Sequence, residues 1–429
     1  MSRLRKRSAI GRRTLISAAG SLILPAPAVR AQGGTAAVAL VIGNSRYQWE
    51  APLPNVRRDA PDIAKRFQAL GLRTELLQDA GRDAMLQALD KFATVCRGAS
   101  FAATYFAGHG ATWQKAMYLV PLDADLSAPS AVERCIPSDV IDEATKDAGH
   151  RLHLYDNCRN NPADGWRQTE AERQAVIAQG YELARVPNTL SLQSTAPGRV
   201  ALDGPAGQNS PFAAAVLRQL AGQVDLQAME PKVRRDVLIA TQGRQVVFGR
   251  SSHQQPFLIG RGPPAASLPA DPAKVVELPN AYAFAQENGL SLVRGLIAHR
   301  PAGASPHAAK IGSYKYEATF AGVRNPQILI VMSVEDSRSV ELIVAGKSDR
   351  RYWRFVTAAF SGNTLEYVPR EGSRRYRFDW SDANSGRLTQ SVVEGSGPPP
   401  GRQLQGGGPG HVRPLPAGDI TSRFTRLDG

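Results

Sequence analysis

A histidine and a cysteine each follow a hydrophobic, strand-like segment of this sequence. His109 comes just after residues 100–107, and Cys158 comes just after residues 150–155. In an open α/β sheet, residues just past the carboxyl ends of neighbouring parallel strands meet in one crevice. An imidazole placed there takes the proton of a thiol and stabilises the nucleophilic thiolate. The pair therefore predicts nucleophilic catalysis by Cys158, with His109 as its acid–base partner.

The surrounding hydrophobic pattern alternates between strands and helices. Strands are predicted at 36–42, 74–77, 100–107, 150–155 and 189–196, and helices over 56–70, over 85–93, from Ser138 and from Ser210. Ser210 and Pro211 combine a hydroxyl cap with proline at the first helical position. The segment 117–120 is predicted to lie in a loop. Strands joined by helical crossovers predict an α/β fold, a mostly parallel sheet flanked by helices on both faces.

Four stretches of residues 36–260 resemble the caspase–metacaspase family in its bacterial form. They are Leu40–Asn44, Tyr105–Gly110, Asp156–Pro162 and Ser194–Gly198. The separation of His109 from Cys158 also fits the roughly 50-residue spacing of caspases. The resemblance covers a little over half of the chain and implies a caspase-like cysteine endopeptidase domain over residues 36–260.

The resemblance also implies the roles of individual groups. Cys158 attacks the scissile carbonyl, and His109 stabilises the thiolate and protonates the leaving amine. The backbone N–H groups of Gly110 and Cys158 form the oxyanion hole.

Substrate preference is expected to follow from a departure at the nucleophile. Caspases carry Gln-Ala-Cys there, whereas this chain has Asp156, Asn157 and Cys158. A carboxylate at Asp156 repels an acidic side chain and attracts Arg or Lys, and in metacaspases the matching aspartate lines the S1 pocket. Asp59 matches a second pocket acid of the family and is equally well placed as a helix N-cap. Ser194 is a further candidate for substrate binding.

No metal site or cofactor is predicted from the residues. Some metacaspases need calcium, and Asp123 and Asp125 offer carboxylates for it, although two loop acids are usually just solvated. The expected partner is a protein or peptide substrate with a basic P1 residue.

Residues 1–31 are predicted to be an export signal. They hold a basic head, a short apolar core and a small-residue cleavage site. Arg12 and Arg13 favour a twin-arginine signal over a general secretory one, so the protein is expected to be periplasmic or secreted by a bacterium. Half of the formal net charge of +14 belongs to this segment. Nucleic-acid binding is not predicted, and the body of the chain has no apolar run long enough for a membrane span.

The C-terminal part has a different texture. Residues 261–280, rich in Gly, Pro and Ala, predict a linker. Residues 281–394 predict a helical stretch and then a β-rich accessory domain, a small sheet or barrel, whose partner is unknown. Its predicted strands are 327–334, 339–345, 352–360, 364–368 and 375–380. Residues 395–429 predict a flexible Gly/Pro-rich tail.

Cysteine usage and the intact dyad leave alternatives open. Cys96 and Cys135 form a disulfide in an oxidising compartment, or Cys96 is a buried core thiol. The rival to the peptidase is a catalytically silent caspase-like binding or signalling module. A thiol hydrolase or transferase acting on non-peptide substrates would use the same dyad without needing the acidic pocket.

Overall fold

The protein is described by a computed structural model. It covers residues 29–30, 36–113, 116–127, 131–157, 187–196, 199–290, 292–300, 305, 307–320, 323–336, 339–346, 354–367, 374–392 and 419–429. The predicted nucleophile Cys158 and nearly all of the predicted export signal lie outside these residues. None of the helices in this part of the chain is both long enough and apolar enough to span a bilayer.

Strands and helices alternate in the N-terminal part. The strands are β1 (Val29–Arg30), β2 (Ala37–Gly43), β3 (Arg73–Gln78), β4 (Phe101–Ala107), β5 (Gly110–Trp113), β6 (Ala116–Leu119), β7 (Ile136–Pro137), β8 (His150–Asp156), β9 (Thr189–Gln193), β10 (Val224–Asp225), β11 (Phe248–Ser251) and β12 (Phe257–Ile259). The helices are α1 (Val56–Ala69), α2 (Arg82–Cys96), α3 (Ala131–Arg134), α4 (Asp139–Thr145), α5 (Pro211–Gln219) and α6 (Leu226–Ala240).

The central sheet has six strands in the order β11-β9-β8-β4-β2-β3. All neighbours pair in parallel except β11, which runs antiparallel to β9 at one edge. Side chains alternate between the two faces along each strand. One face packs on α1, α5 and α6, and the other on α2 and α4. The predicted α/β fold, with helices on both faces of a mainly parallel sheet, is confirmed.

Three local predictions are settled by the backbone. Residues 117–120, predicted as a loop, lie largely in β6, which pairs with β5 in a small sheet directly after His109. Helix α1 begins at Val56 with Asn55 at its N-cap, so Asp59 lies inside the first turn and the N-cap interpretation of Asp59 is wrong. Ser210 caps α5 as predicted, because its hydroxyl accepts from the N–H of Ala213 at 2.9 Å.

The C-terminal part forms a closed barrel of eight antiparallel strands. After β13 (Val275–Val276), helix α7 (Pro279–Glu287) and β14 (Ala298–His299), the barrel strands are β15 (Gly312–Phe320), β16 (Val323–Asp336), β17 (Ser339–Gly346), β18 (Arg354–Ser361), β19 (Thr364–Tyr367), β20 (Arg374–Trp380), β21 (Ser385–Val392) and β22 (Ile420–Asp428). Aromatic side chains fill its interior, among them Tyr314, Phe378, Trp380 and Phe424.

The last strand corrects the end of the flexible tail predicted over 395–429, whereas residues 395–418 lie outside the described residues. Residues 420–428 form β22, which pairs with both β15 and β21 and closes the barrel. The polar alternation of this segment carries little signal beside the Gly/Pro-rich residues before it. Only pairing with strands far along the chain identifies it.

Both cysteines within the described residues are buried free thiols. Cys96 lies on α2 in the core beneath the sheet, and Cys135 lies in a separate cluster. The core-thiol interpretation is therefore confirmed for Cys96, and the disulfide alternative is wrong.

Candidate active site

The ends of β4 and β8 lie side by side at one edge of the sheet. Ala107 is in register with Asp156, and the N–H of Gly108 donates to the carbonyl of Asp156 at 3.3 Å. His109 follows one strand end and Asn157 follows the other. The sheet therefore places His109 beside the residue that immediately precedes Cys158. Because Cys158 lies outside the described residues, the dyad itself stays a prediction.

Gly110 meets Asn157 at closer range than any other residue type could. A Cβ added at Gly110 would lie 2.0 Å from Nδ2 of Asn157, far inside contact distance. The close approach of the Asn157 side chain therefore favours glycine at position 110, because any other residue type would bring a Cβ. Gly110, one of the two expected oxyanion donors, therefore packs against Asn157, the residue that precedes Cys158.

Tyr47 and Ala51 hold His109. The backbone N–H of His109 donates to the hydroxyl of Tyr47 at 2.7 Å, and that hydroxyl donates to the carbonyl of Val120 at 3.1 Å. The rings of Tyr47 and His109 are tilted, with centroids 4.6 Å apart. Nε2 of His109 lies 2.7 Å from the carbonyl oxygen of Ala51, which can only accept a hydrogen bond. This contact assigns the proton to Nε2 and leaves Nδ1 as the basic nitrogen.

An open depression of about 350 Å³ lies beside His109. Its wall is formed by α1, the ends of β4 and β8, the loop before α5 and Ser210, the N-cap residue of α5. The lining residues are Leu53, Val56, Asp59, Gly108, His109, Asp156, Asn157, Ala201, Leu202, Asp203 and Ser210. Asp59 and Asp156, both predicted from the sequence as pocket acids, therefore lie in one cavity with His109.

The two predicted pocket carboxylates share Ser210. Asp156 accepts from the hydroxyl of Ser210 at 2.5 Å and from that of Tyr105 at 3.1 Å. Asp59 accepts from the backbone N–H of Ser210 and from Nδ2 of Asn209, both at 3.0 Å. Burial raises the pKa of both carboxyls above the ordinary aspartate range, and the charge of Asp156 raises that of Asp59 further.

Asp203 adds a third carboxylate that sequence reasoning missed. It lines the same depression, and burial raises its pKa. Its backbone carbonyl accepts from Nδ2 of Asn55 at 2.7 Å, which fixes the loop that carries it. No periodic pattern surrounds Asp203, so only the folded chain shows where its loop lies.

Ser194, the remaining predicted substrate-binding residue, is fully buried and is not among the residues that line the depression. Its hydroxyl accepts from the N–H of Asn157 at 3.2 Å and donates to the carbonyl of Asn157 at 3.1 Å. In this position Ser194 fixes the backbone immediately before Cys158.

The two acids suggested for calcium are engaged by neighbouring groups. Asp123 accepts from the backbone N–H of Arg82 at 3.0 Å, at the start of α2. Asp125 accepts from the N–H of Ser127 at 2.9 Å and from its hydroxyl at 2.6 Å.

A family model described as a caspase domain matches residues 36–258, more than half of the chain. Among solved structures, the crystal structure of caspase-1 from Spodoptera frugiperda is similar, with 14% sequence identity and a TM-score of 0.41. The match covers 53% of this chain and 93% of that chain. No curated protein matches the chain.

Proposed function

The chain belongs to the caspase-domain family of cysteine peptidases, and from this premise we propose that it is an exported endopeptidase that cleaves after Arg or Lys. His109 and Cys158 form the catalytic dyad. The observation that carries the proposal is the depression beside His109, whose wall holds the carboxyls of Asp59, Asp156 and Asp203.

The charge of this depression selects the side chain that enters it. Three of its lining residues are aspartates, and none of the described lining residues is Lys or Arg. A guanidinium or ammonium group that enters the site supplies a positive charge to balance the buried carboxylates. A guanidinium also pairs with a carboxylate through two parallel hydrogen bonds. An acidic P1 side chain would add a further carboxylate beside Asp59, Asp156 and Asp203, and like charges in one site disfavour one another.

The proposed reaction has two covalent steps. The thiolate of Cys158 attacks the scissile carbonyl carbon, and the tetrahedral oxyanion is stabilised by the backbone N–H groups of Gly110 and Cys158. The C–N bond then breaks as His109 gives its proton to the leaving amine, leaving a thioester. Water attacks the thioester with His109 as general base, and the S–C bond breaks to regenerate Cys158.

The contacts of His109 suit this role. The carbonyl of Ala51 holds the Nε2–H, so Nδ1 is the nitrogen that receives the proton of Cys158. The hydroxyl of Tyr47 holds the backbone N–H of His109. An orienting acceptor on one ring nitrogen is what a general base needs in order to present the other.

The test is hydrolysis of fluorogenic peptides ending in Arg, Lys or Asp by protein lacking residues 1–31, with and without calcium. The matched control is Cys158→Ala, and the reduced state of Cys158 is verified by thiol titration. We expect cleavage after Arg or Lys that is abolished in Cys158→Ala.

The other outcomes separate the remaining hypotheses. Cleavage after Asp would retain the peptidase and overturn the role of the three carboxyls. Absence of cleavage with Cys158 reduced would favour the silent binding module. Turnover of a non-peptide thioester or amide alone would favour a thiol hydrolase.

A further inference from the structure

The turn after α6 docks on the C-terminal barrel. Gly243 has a φ of +80°. A Cβ added to it would lie 3.2 Å from Cβ of His299 and 3.3 Å from Cβ of Ser333. Val246, three residues on, belongs to the hydrophobic cluster that includes the interior of the barrel. Any displacement of the barrel relative to the sheet would therefore change the contacts of residues 243–246.

Gln245, in the middle of this docked turn, points its amide toward the peptidase domain. Its side chain is 1% exposed. Nε2 donates to the carbonyl of Ser194 at 2.8 Å, and Oε1 accepts from the backbone N–H of Leu202 at 2.9 Å. Its own backbone N–H donates to the hydroxyl of Thr241, at the end of α6. The amide thus bridges Ser194 and Leu202, at the two ends of the segment that leads from β9 toward Asp203.

Each of these segments leads to the candidate site by one further step. Ser194 brackets the N–H and the carbonyl of Asn157, the residue before Cys158. Leu202 lines the acidic depression and directly precedes Asp203. One buried side chain therefore contacts both a residue of the cavity wall and the residue that brackets Asn157.

We propose that Gln245 is a positioning residue that couples docking of the C-terminal barrel to the shape of the substrate cavity. The inference rests on the proposed peptidase function for its kinetic readout. The barrel then acts as a regulatory unit of the peptidase, since whatever shifts the turn at 243–246 also shifts Leu202 and Ser194.

The first test replaces the amide by an apolar group of similar shape, Gln245→Met. The control is Gln219→Met, another glutamine that is 1% exposed, whose Nε2 donates to Asp236 at 2.9 Å away from the cavity. We expect KM for an Arg peptide to rise about tenfold in Gln245→Met, the loss of one buried hydrogen bond to the cavity wall. The control should lose thermal stability with its KM unchanged.

The conservative variant Gln245→Glu gives a pH signature that a purely structural role would not. A protonated glutamic acid keeps one donor and one acceptor, whereas its carboxylate faces the Ser194 carbonyl without a donor. Burial favours the protonated form of such a group. The activity of Gln245→Glu relative to wild type should therefore rise as the pH falls. This variant also serves if Gln245→Met does not fold.

The coupling to the barrel is tested with Gly243→Ala, which places a methyl group against His299 and Ser333. KM should rise in Gly243→Ala, and the rise should largely disappear when the same change is made in the Gln245→Met background. Non-additivity of this kind identifies residues acting through one link. Fully additive effects, or an unchanged KM in Gly243→Ala, would overturn the coupling.

Amide hydrogen exchange over residues 194–203 separates this inference from the proposed function. Gln245→Met and Gly243→Ala should both speed exchange at the Leu202 amide, whether or not any peptide is cleaved. If the wild type cleaves no peptide but exchange responds, the link stands and the peptidase proposal fails. If the wild type cleaves Arg peptides while neither KM nor exchange responds to Gln245→Met, the inference is wrong.

Discussion

His109 is held by contacts on its backbone and on its ring. Tyr47 accepts from its N–H, and the carbonyl of Ala51 lies against Nε2. Burial raises the pKa of the Tyr47 phenol far above its ordinary value, so its hydroxyl stays a neutral donor to the carbonyl of Val120. A fixed imidazole loses little orientational freedom when it acts as base, which is the physical advantage of these hydrogen bonds.

Tyr47→Phe removes this hydroxyl while keeping the ring. We expect kcat to fall about tenfold, because the N–H of His109 loses its acceptor and the imidazole moves from its position. The measurement is steady-state kinetics on an Arg peptide. Tyr316→Phe is the matched control, since its buried hydroxyl donates to Gln327 at 2.8 Å inside the barrel. Equal kcat values for Tyr47→Phe and wild type would contradict the role.

Secondary-structure elements bring the three carboxyls together from distant parts of the chain. Asp59 comes from the first turn of α1, Asp156 from the end of β8, and Asp203 from the loop before α5. Ser210, at the cap of α5, binds both Asp59 and Asp156. The cap of one helix therefore organises the acidic wall.

This convergence predicts how substrate binding depends on pH. The pKa values of Asp59 and Asp156 are raised, mainly by burial, so both carboxyls ionise only as the pH rises above the ordinary aspartate range. We expect KM for an Arg peptide to fall as the pH rises through that interval. Asp59→Asn should raise KM about tenfold and flatten the profile, whereas exposed Asp90→Asn should leave both unchanged. A KM that is insensitive to Asp59→Asn would show that Asp59 does not contribute to binding of the Arg side chain.

The effect on stability has the opposite sign. A carboxyl whose pKa is raised on folding stabilises the native state by binding a proton. That contribution is complete below the ordinary aspartate pKa of about 3.9 and is lost as the pH rises through the raised value. The thermal stability of Asp59→Asn relative to wild type should therefore increase with pH.

At the scale of the whole molecule, the peptidase domain and the barrel share α6. One side of this helix packs on the same face of the sheet as α1 and α5, and Leu238 near its end belongs to the barrel's cluster. The last strand, β22, fastens the barrel in turn. Asp428 accepts from the N–H groups of Asn280 and Ala281 at 2.9 and 2.8 Å, at the start of α7, and from the hydroxyl of Ser313 at 2.8 Å.

Asp428→Ala should therefore destabilise the C-terminal part. Loss of a helix cap and of a buried partner for Ser313 is expected to lower the free energy of unfolding by about 2 kcal/mol, measured by urea denaturation. Asp419→Ala, at an exposed position just before β22, is the control and should be neutral. Equal stability of the two variants would contradict the role of β22 as a fastening strand.

The sequence by itself determined the features that depend on local pattern and residue type. Continuous apolar runs specify the buried parallel strands, and residues that follow those runs necessarily gather at one edge of the sheet. His109 and Asp156 could be found in this way, whereas Asp59 was found through the family resemblance. The resemblance of the four stretches supplied the family, which the match over residues 36–258 confirms.

Only the tertiary structure decided which other residues join the site. Tyr47, Asp203, Ser210 and Gln245 lie in turns and loops without a period, and their contacts reach far along the chain. The placement of Ser194 behind the strand end and the closure of the barrel by β22 were settled in the same way. Such contacts depend on how elements pack, because a loop residue's neighbours are fixed by the whole fold and not by its own sequence.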